Sequence, residues 1–185
     1  MIISGLTFWN SYSERRNAEV ERAGEERSAD VKARSLVLRG TVDRDGESLE
    51  LTAAANDQAI QDQTVSFPSA LELDAVEVTN PRIEADWFDG AVREARRAAR
   101  QRDEDAGDER LPVAITTRYV VDGETFTDVA LYDVGYAVKD RFLRGGAVQL
   151  RGLSFIGRAG ADIAQARLDK LWQTRQPTIS TGAKK

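Results

Sequence analysis

Two Asp-Gly pairs, Asp45-Gly46 and Asp122-Gly123, do most to limit what this chain can fold into. Each sits between runs in which apolar residues alternate with polar ones: LVLRGTV and LELTAAA around the first, LPVAITTRYVV and TFTDVALYDV around the second. Asp-Gly is a strong two-residue hairpin signal, because the tight turn that matches strand twist needs positive φ. The chain is therefore expected to build an antiparallel sheet. AVQLRGLSFI adds a further strand, and TVSFPSALELDAVEV another, closed by a turn at Asn80-Pro81. NDQAIQDQ reads as a polar connection.

Helical segments separate these strands. Asp86 to Arg102 carries Trp87, Ala91, Ala95, Ala98 and Ala99 at near-helical spacing, with Asp86 as cap and Asp89 in the first turn. Those five residues are expected to face the core. Gly160 to Gln173 is expected to be helical, with Ala164, Leu168 and Leu171 on one side. Ser13 to Arg34 reads as a charged helix without a continuous apolar stripe, the pattern of a surface helix or a spacer. The fold expected is α+β: an antiparallel sheet of hairpins with helices packed on one face, preceded by a charged N-terminal helical arm. The organisation expected is an apolar stub and arm over 1–34, one domain over 35–173, and a polar tail over 174–185.

Between Val129 and Leu168 aliphatic residues recur at a five-residue step, and Ala161-Asp162-Ile163 and Ala166-Arg167-Leu168 resemble units of the pentapeptide-repeat family. That family implies a square parallel β-helix. The stretch departs from the pattern at Arg158, a would-be inward centre, and at Arg141, Arg151 and Ile156, where small residues belong. A strand followed by an amphipathic helix accounts for the same residues, and no function is carried over from the family.

Composition narrows the chemistry. The 185 residues include no cysteine and no histidine. Thiolate and imidazole catalysis, the Ser-His-Asp triad and ordinary zinc sites are therefore excluded. Oxygen-ligand sites stay open, but neither DEDAGDE at 103–109 nor DRDGE at 43–47 has the calcium-loop spacing, and no metal or cofactor is assigned. A net charge of −5 disfavours nucleic acid as a partner. With 41% hydrophobic residues the chain has the makings of a globular core.

Two features point to interaction. The apolar start MIISGLTFW ends in aromatics, and Phe8, Trp9 and Tyr12 are of the kind that anchors interfaces or membrane boundaries. Arg93, Arg96, Arg97 and Arg100 fall on one helical face, a stripe that could grip an acidic protein groove, phosphates or anionic lipid. The carboxylates just after it, Asp103 to Glu109, could equally neutralise it. The function expected is a non-enzymatic protein–protein interaction or assembly module, held by its stub and arm to a larger complex or a membrane. The location expected is cytoplasmic, with membrane association through residues 1–12; if the stub is the end of a membrane span, Arg15 and Arg16 just beyond it favour that side. One alternative is a magnesium-dependent enzyme on phosphate or sugar substrates, using Asp86, Asp89, Asp128 or Asp133. Another is anionic lipid or polymer binding through the arginine face. Oligomeric state is not legible.

Overall fold

The computed structural model describes residues 35–99, 109–139 and 147–175. The chain divides into two units, Met1–Ser35 and Leu36–Lys185, and every described strand and helix belongs to the second. The expected arm helix, Ser13 to Arg34, lies outside the described residues.

The domain is mixed α and β. Its strands are β1 (Leu38–Val42), β2 (Ser48–Ala53), β3 (Ala59–Ser66), β4 (Val76–Val78), β5 (Arg82–Glu84), β6 (Glu109–Val121), β7 (Glu124–Lys139) and β8 (Ala147–Arg158). Its helices are α1 (Asp89–Ala98) and α2 (Ala164–Arg175). One sheet has the order β4-β3-β6-β7-β8 and a smaller one β1-β2-β5, and every pairing is antiparallel. Both hairpins form, but only Asp122-Gly123 is a two-residue turn; Asp45-Gly46 lies within the longer loop from Asp43 to Glu47. Asp122 and Gly123 take φ of 51° and 83°, the positive values that a two-residue loop requires. Gly46 takes φ of 74°, and its carbonyl accepts the Leu150 N–H, which ties the first turn to the edge of β8.

The β6–β7 ladder runs unbroken from Glu109↔Tyr136 to Val121↔Glu124, so side chains sort cleanly by parity. One face, here the inner face, carries Leu111, Val113, Ile115, Thr117 and Tyr119 with Val134, Tyr132, Ala130, Asp128 and Phe126. The small sheet packs on it through Leu38, Leu49, Leu51 and Ile83, all buried. Gly40 lets β1 approach β8: an added Cβ there would stand 2.8 Å from the Leu153 Cβ, and as near to Leu49 of its own sheet. The other, outer face carries Pro112, Ala114, Thr116 and Arg118 with Asp133, Leu131, Val129 and Thr127.

Four expectations need correction. The helices do not share a face. α1 lies on the inner face, where Phe88 at its start packs against Tyr136 and Arg96 pairs with Glu109. α2 lies on the outer face, where Ala164 and Leu168 join Ala114 and Leu131 in one apolar cluster. α1 is also shorter and differently rotated: a 3-10 turn over Ala85–Trp87 precedes it, and Phe88, Val92 and Arg96 are its buried positions. Phe88 and Val92 bury more apolar area than the alanine stripe offers, so Trp87 stays half-buried and Ala98 exposed. The run from 56 to 78 is divided differently from the expected connection plus one strand: Ala59–Ser66 is β3, with Asp62 and Thr64 turned to the open outer face, Ser69–Leu71 is a 3-10 turn, and only Val76–Val78 form β4. Finally, in α2 it is Trp172 rather than Leu171 that completes the buried stripe with Ala164 and Leu168. The five-residue step between Val129 and Leu168 falls on β7, β8 and α2.

One polar pair sits within the core. Gln63, 1% exposed, donates from Nε2 to Thr117 Oγ1 at 3.0 Å, and its Oε1 has no hydrogen-bond partner. Stranding a buried donor costs about 1–3 kcal/mol, whereas replacing both partners by apolar groups is close to neutral or better. Thr117→Val alone is expected to lower stability by that amount. The double variant Thr117→Val/Gln63→Leu should recover it in full or exceed wild type, as read from urea midpoints.

Candidate interaction surface

Of the arginines singled out from the sequence, Arg93, Arg96 and Arg97 are described; Arg100, like Phe8, Trp9 and Tyr12, lies outside the described residues. The three do not form one solvent-facing stripe. Arg93 pairs with Asp89 one turn back at 2.7 Å. Arg96 is 4% exposed and forms an ion pair with Glu109, whose second oxygen accepts from the Tyr136 hydroxyl at 2.6 Å. Arg97 is exposed. Arg96 therefore pins α1 to the first residue of β6. Burial drives the Tyr136 hydroxyl up to about 12, with Arg96 pulling the other way.

The four candidate carboxylates do not converge. Asp128 and Asp133 point to opposite faces of β7 by parity. Asp128, on the inner face, accepts from Arg158 Nε at 2.9 Å; burial raises its carboxyl and Arg158 opposes that rise. The same guanidinium donates from Nη2 to the Leu36 carbonyl at 2.7 Å, and Tyr132 accepts the Leu38 N–H at 3.1 Å. This cluster ties the first residues of the domain to the large sheet. Burial raises the hydroxyls of Tyr119 and Tyr132 as well, with Asp128 adding to both. Asp133, on the outer face, is 4% exposed and is gripped through both oxygens by Arg175 at the end of α2.

Asp86 and Asp89 do share a hollow of about 310 Å³ with Glu47 and Glu84. Asp89 there accepts the Val148 N–H at 2.8 Å and pairs with Arg93, and Glu84 pairs with Arg82. Among the described residues no group of three or more carboxylates is placed to hold a metal ion.

A different feature stands out on the outer face. α2 covers only the half of that face around Pro112, Ala114, Leu131 and Asp133. The other half is an open basin of about 600 Å³ lined by Asp62, Thr64, Glu77, Thr116, Arg118 and Thr127. The register sets them in two rows: Glu77, Thr64 and Thr116 across β4, β3 and β6, then Asp62, Arg118 and Thr127 across β3, β6 and β7. Arg118 Nε donates to Asp62 Oδ2 at 2.7 Å, spanning the floor. Hydroxyls with one cation and two carboxylates make a shallow, hydrogen-bonding floor. Sequence reasoning missed these residues, although ITTRY alternates Thr116 and Arg118 with Ile115, Thr117 and Tyr119 and so marks a polar face.

No protein family matches this sequence, and no curated protein or solved structure matches it. The expectation of membrane association is corrected by the described residues, among which no helix is long and apolar enough to cross a membrane. Residues 1–12 lie outside them.

The Arg96 network sets two expected outcomes. Arg96→Ala takes the buried guanidinium away from Glu109, whose side chain is still 25% exposed, so the loss should be about 1–3 kcal/mol, below that of a fully buried pair. Arg97→Ala, on the exposed side, should stay within about 0.5 kcal/mol of wild type. Chemical denaturation of both variants separates a buried strut from a surface stripe. Tyr136, raised from 10.0 to about 12, holds its proton in the folded state after the unfolded chain has lost it. Its contribution is thus complete below pH 10 and lost between pH 10 and about 12, on the order of 3 kcal/mol. Tyr136→Phe should flatten that part of the stability–pH curve.

Proposed function

We propose that this chain is a non-enzymatic protein–protein interaction module. The domain from Leu36 onward presents its outer sheet face to a protein partner, and the apolar stub and charged arm of residues 1–34 tether it to a larger assembly. The observation that supports this reading most is the half-covered outer face. A basin of about 600 Å³, lined by hydroxyl and charged side chains together with Val78, lies open beside α2 on a sheet whose other face is packed. Its shape suits a loop or strand of another protein, since small-molecule sites are concave and bury most of their ligand. Its Thr64, Thr116 and Thr127 hydroxyls and the Asp62–Arg118 pair offer the polar contacts of a non-obligate interface. The aromatics Phe8 and Trp9 are the residues assigned to the tether.

A photo-crosslinking residue at Thr116 of the full-length chain, expressed in its native cells, tests the reading. Thr52, exposed on the far side of β2, serves as the control position. A discrete protein adduct at Thr116, at least tenfold above that at Thr52 and suppressed by Arg118→Glu, is expected. Equal labelling at both positions would refute the docking face. For the arm, Phe8→Ser/Trp9→Ser in the full chain should abolish co-sedimentation with the assembly; unchanged sedimentation would remove the tether from the account.

A further inference from the structure

α2 is attached to the outer face in an uneven way. Its apolar stripe is thin: Ala164, Leu168 and Trp172 are its buried residues, against Ala114 and Leu131 with Val129 and Ile156 beside them. The rest of its hold is polar and mostly at exposed positions. Asp169 accepts from the Ser69 N–H at 2.8 Å and the Ser69 hydroxyl at 2.9 Å. Gln165 Nε2 donates to the Phe67 carbonyl at 3.1 Å, and Arg167 Nη1 to the Arg158 carbonyl at 2.6 Å. Arg175 closes the far end on Asp133.

The link behind the helix is short and allows a hinge. The Ala159 N–H is fixed to the Val129 carbonyl, so motion begins after it, at Gly160. Lifting α2 from there separates no pair of strands, because every ladder lies among β1 to β8.

What α2 covers is continuous with the basin. In the β6–β7 register, Thr116↔Val129 borders Ala114↔Leu131, which borders Pro112↔Asp133 two steps on. With α2 lifted, the outer face reads as polar hydroxyls, then an apolar strip of Val129, Ala114 and Leu131, then the Asp133 carboxylate. A buried carboxylate at the end of an apolar strip calls for a cation there, as Arg175 now supplies.

We infer that α2 is a hinged cover holding the place of a partner's amphipathic helix. The partner helix carries apolar residues at i, i+4 and i+8 and a basic residue at its end that replaces Arg175 on Asp133. This rests on the outer face being the docking face, and it adds the partner's chemistry and its control: binding requires α2 to open. A ligand of a minor open state binds more weakly in proportion to that state's population, so loosening α2 strengthens binding.

The probe is a fluorescent synthetic peptide of residues 160–175, added to the full-length chain. In the variant Asp169→Ala/Gln165→Ala the exposed tethers to Ser69 and Phe67 are gone. Hydrogen exchange at α2 amides is expected to speed up at least tenfold while β6 and β7 amides keep their wild-type rates, which also shows that the variant is folded. The peptide should then bind the variant at least tenfold tighter than wild type, and a Leu168→Asp peptide should not bind. If α2 amides exchange no faster than those of β6 and β7, the cover is not hinged and the inference falls. It falls equally if α2 opens and the peptide does not bind, or if the Leu168→Asp peptide binds as well. Crosslinking at Thr116 reads the half that α2 never covers, so either failure leaves the docking face itself standing.

Discussion

The β6–β7 hairpin is the constraint on which the rest depends. Its tight Asp122-Gly123 turn and unbroken register fix which side chains go inward over the whole length of both strands. A shift of one residue would send Tyr119, Tyr132 and Val134 outward and bring Arg118 and Asp133 into the core, so register and face are strongly specified. Each neighbouring element takes its place from that ladder. β3 and β8 pair with its two sides, the small sheet and α1 seal the inner face, and α2 rests on part of the outer one.

Charge is used differently on the two faces. On the inner face, ions are paired at the rim of the core: Glu109 with Arg96, Asp128 with Arg158. Ion pairs of this kind contribute little net stability, because desolvation offsets attraction, but breaking one is costly. They set where α1 and the segment leading into β1 attach. On the outer face, Asp133 is buried and held by Arg175 of α2, while Asp62 and Arg118 stay in reach of solvent. The same sheet thus has one face closed by geometry and one whose closure depends on a single helix.

How far the sequence reached has the same origin. Local chemistry was enough for the Asp-Gly hairpins, β8 and the position of α2, because turn residues and alternation are written into neighbouring positions. It was not enough for the side of the sheet on which each helix packs, since an amphipathic stripe shows that a helix is covered but not by what. It also failed on α1, where the alanine stripe competed with Phe88–Val92–Arg96, and Arg96 looked like surface until Glu109 was seen across from it. β3 was missed because Asp62 and Thr64 face an open surface and leave little apolar alternation to read. The basin residues come from strands distant in sequence, and only the register brings them together.

The central claim is that the outer face beside α2 is occupied by another protein in the native assembly. The absence of cysteine from the chain makes thiol accessibility a direct measure of it. Single replacements Thr116→Cys, on the basin floor, and Thr52→Cys, on β2, would be labelled with a small maleimide in the purified full-length chain and in freshly opened native cells. Thr116→Cys should label readily when purified and be protected at least tenfold in the native extract, while Thr52→Cys labels alike in both. Equal labelling of Thr116→Cys in the two settings would contradict the account.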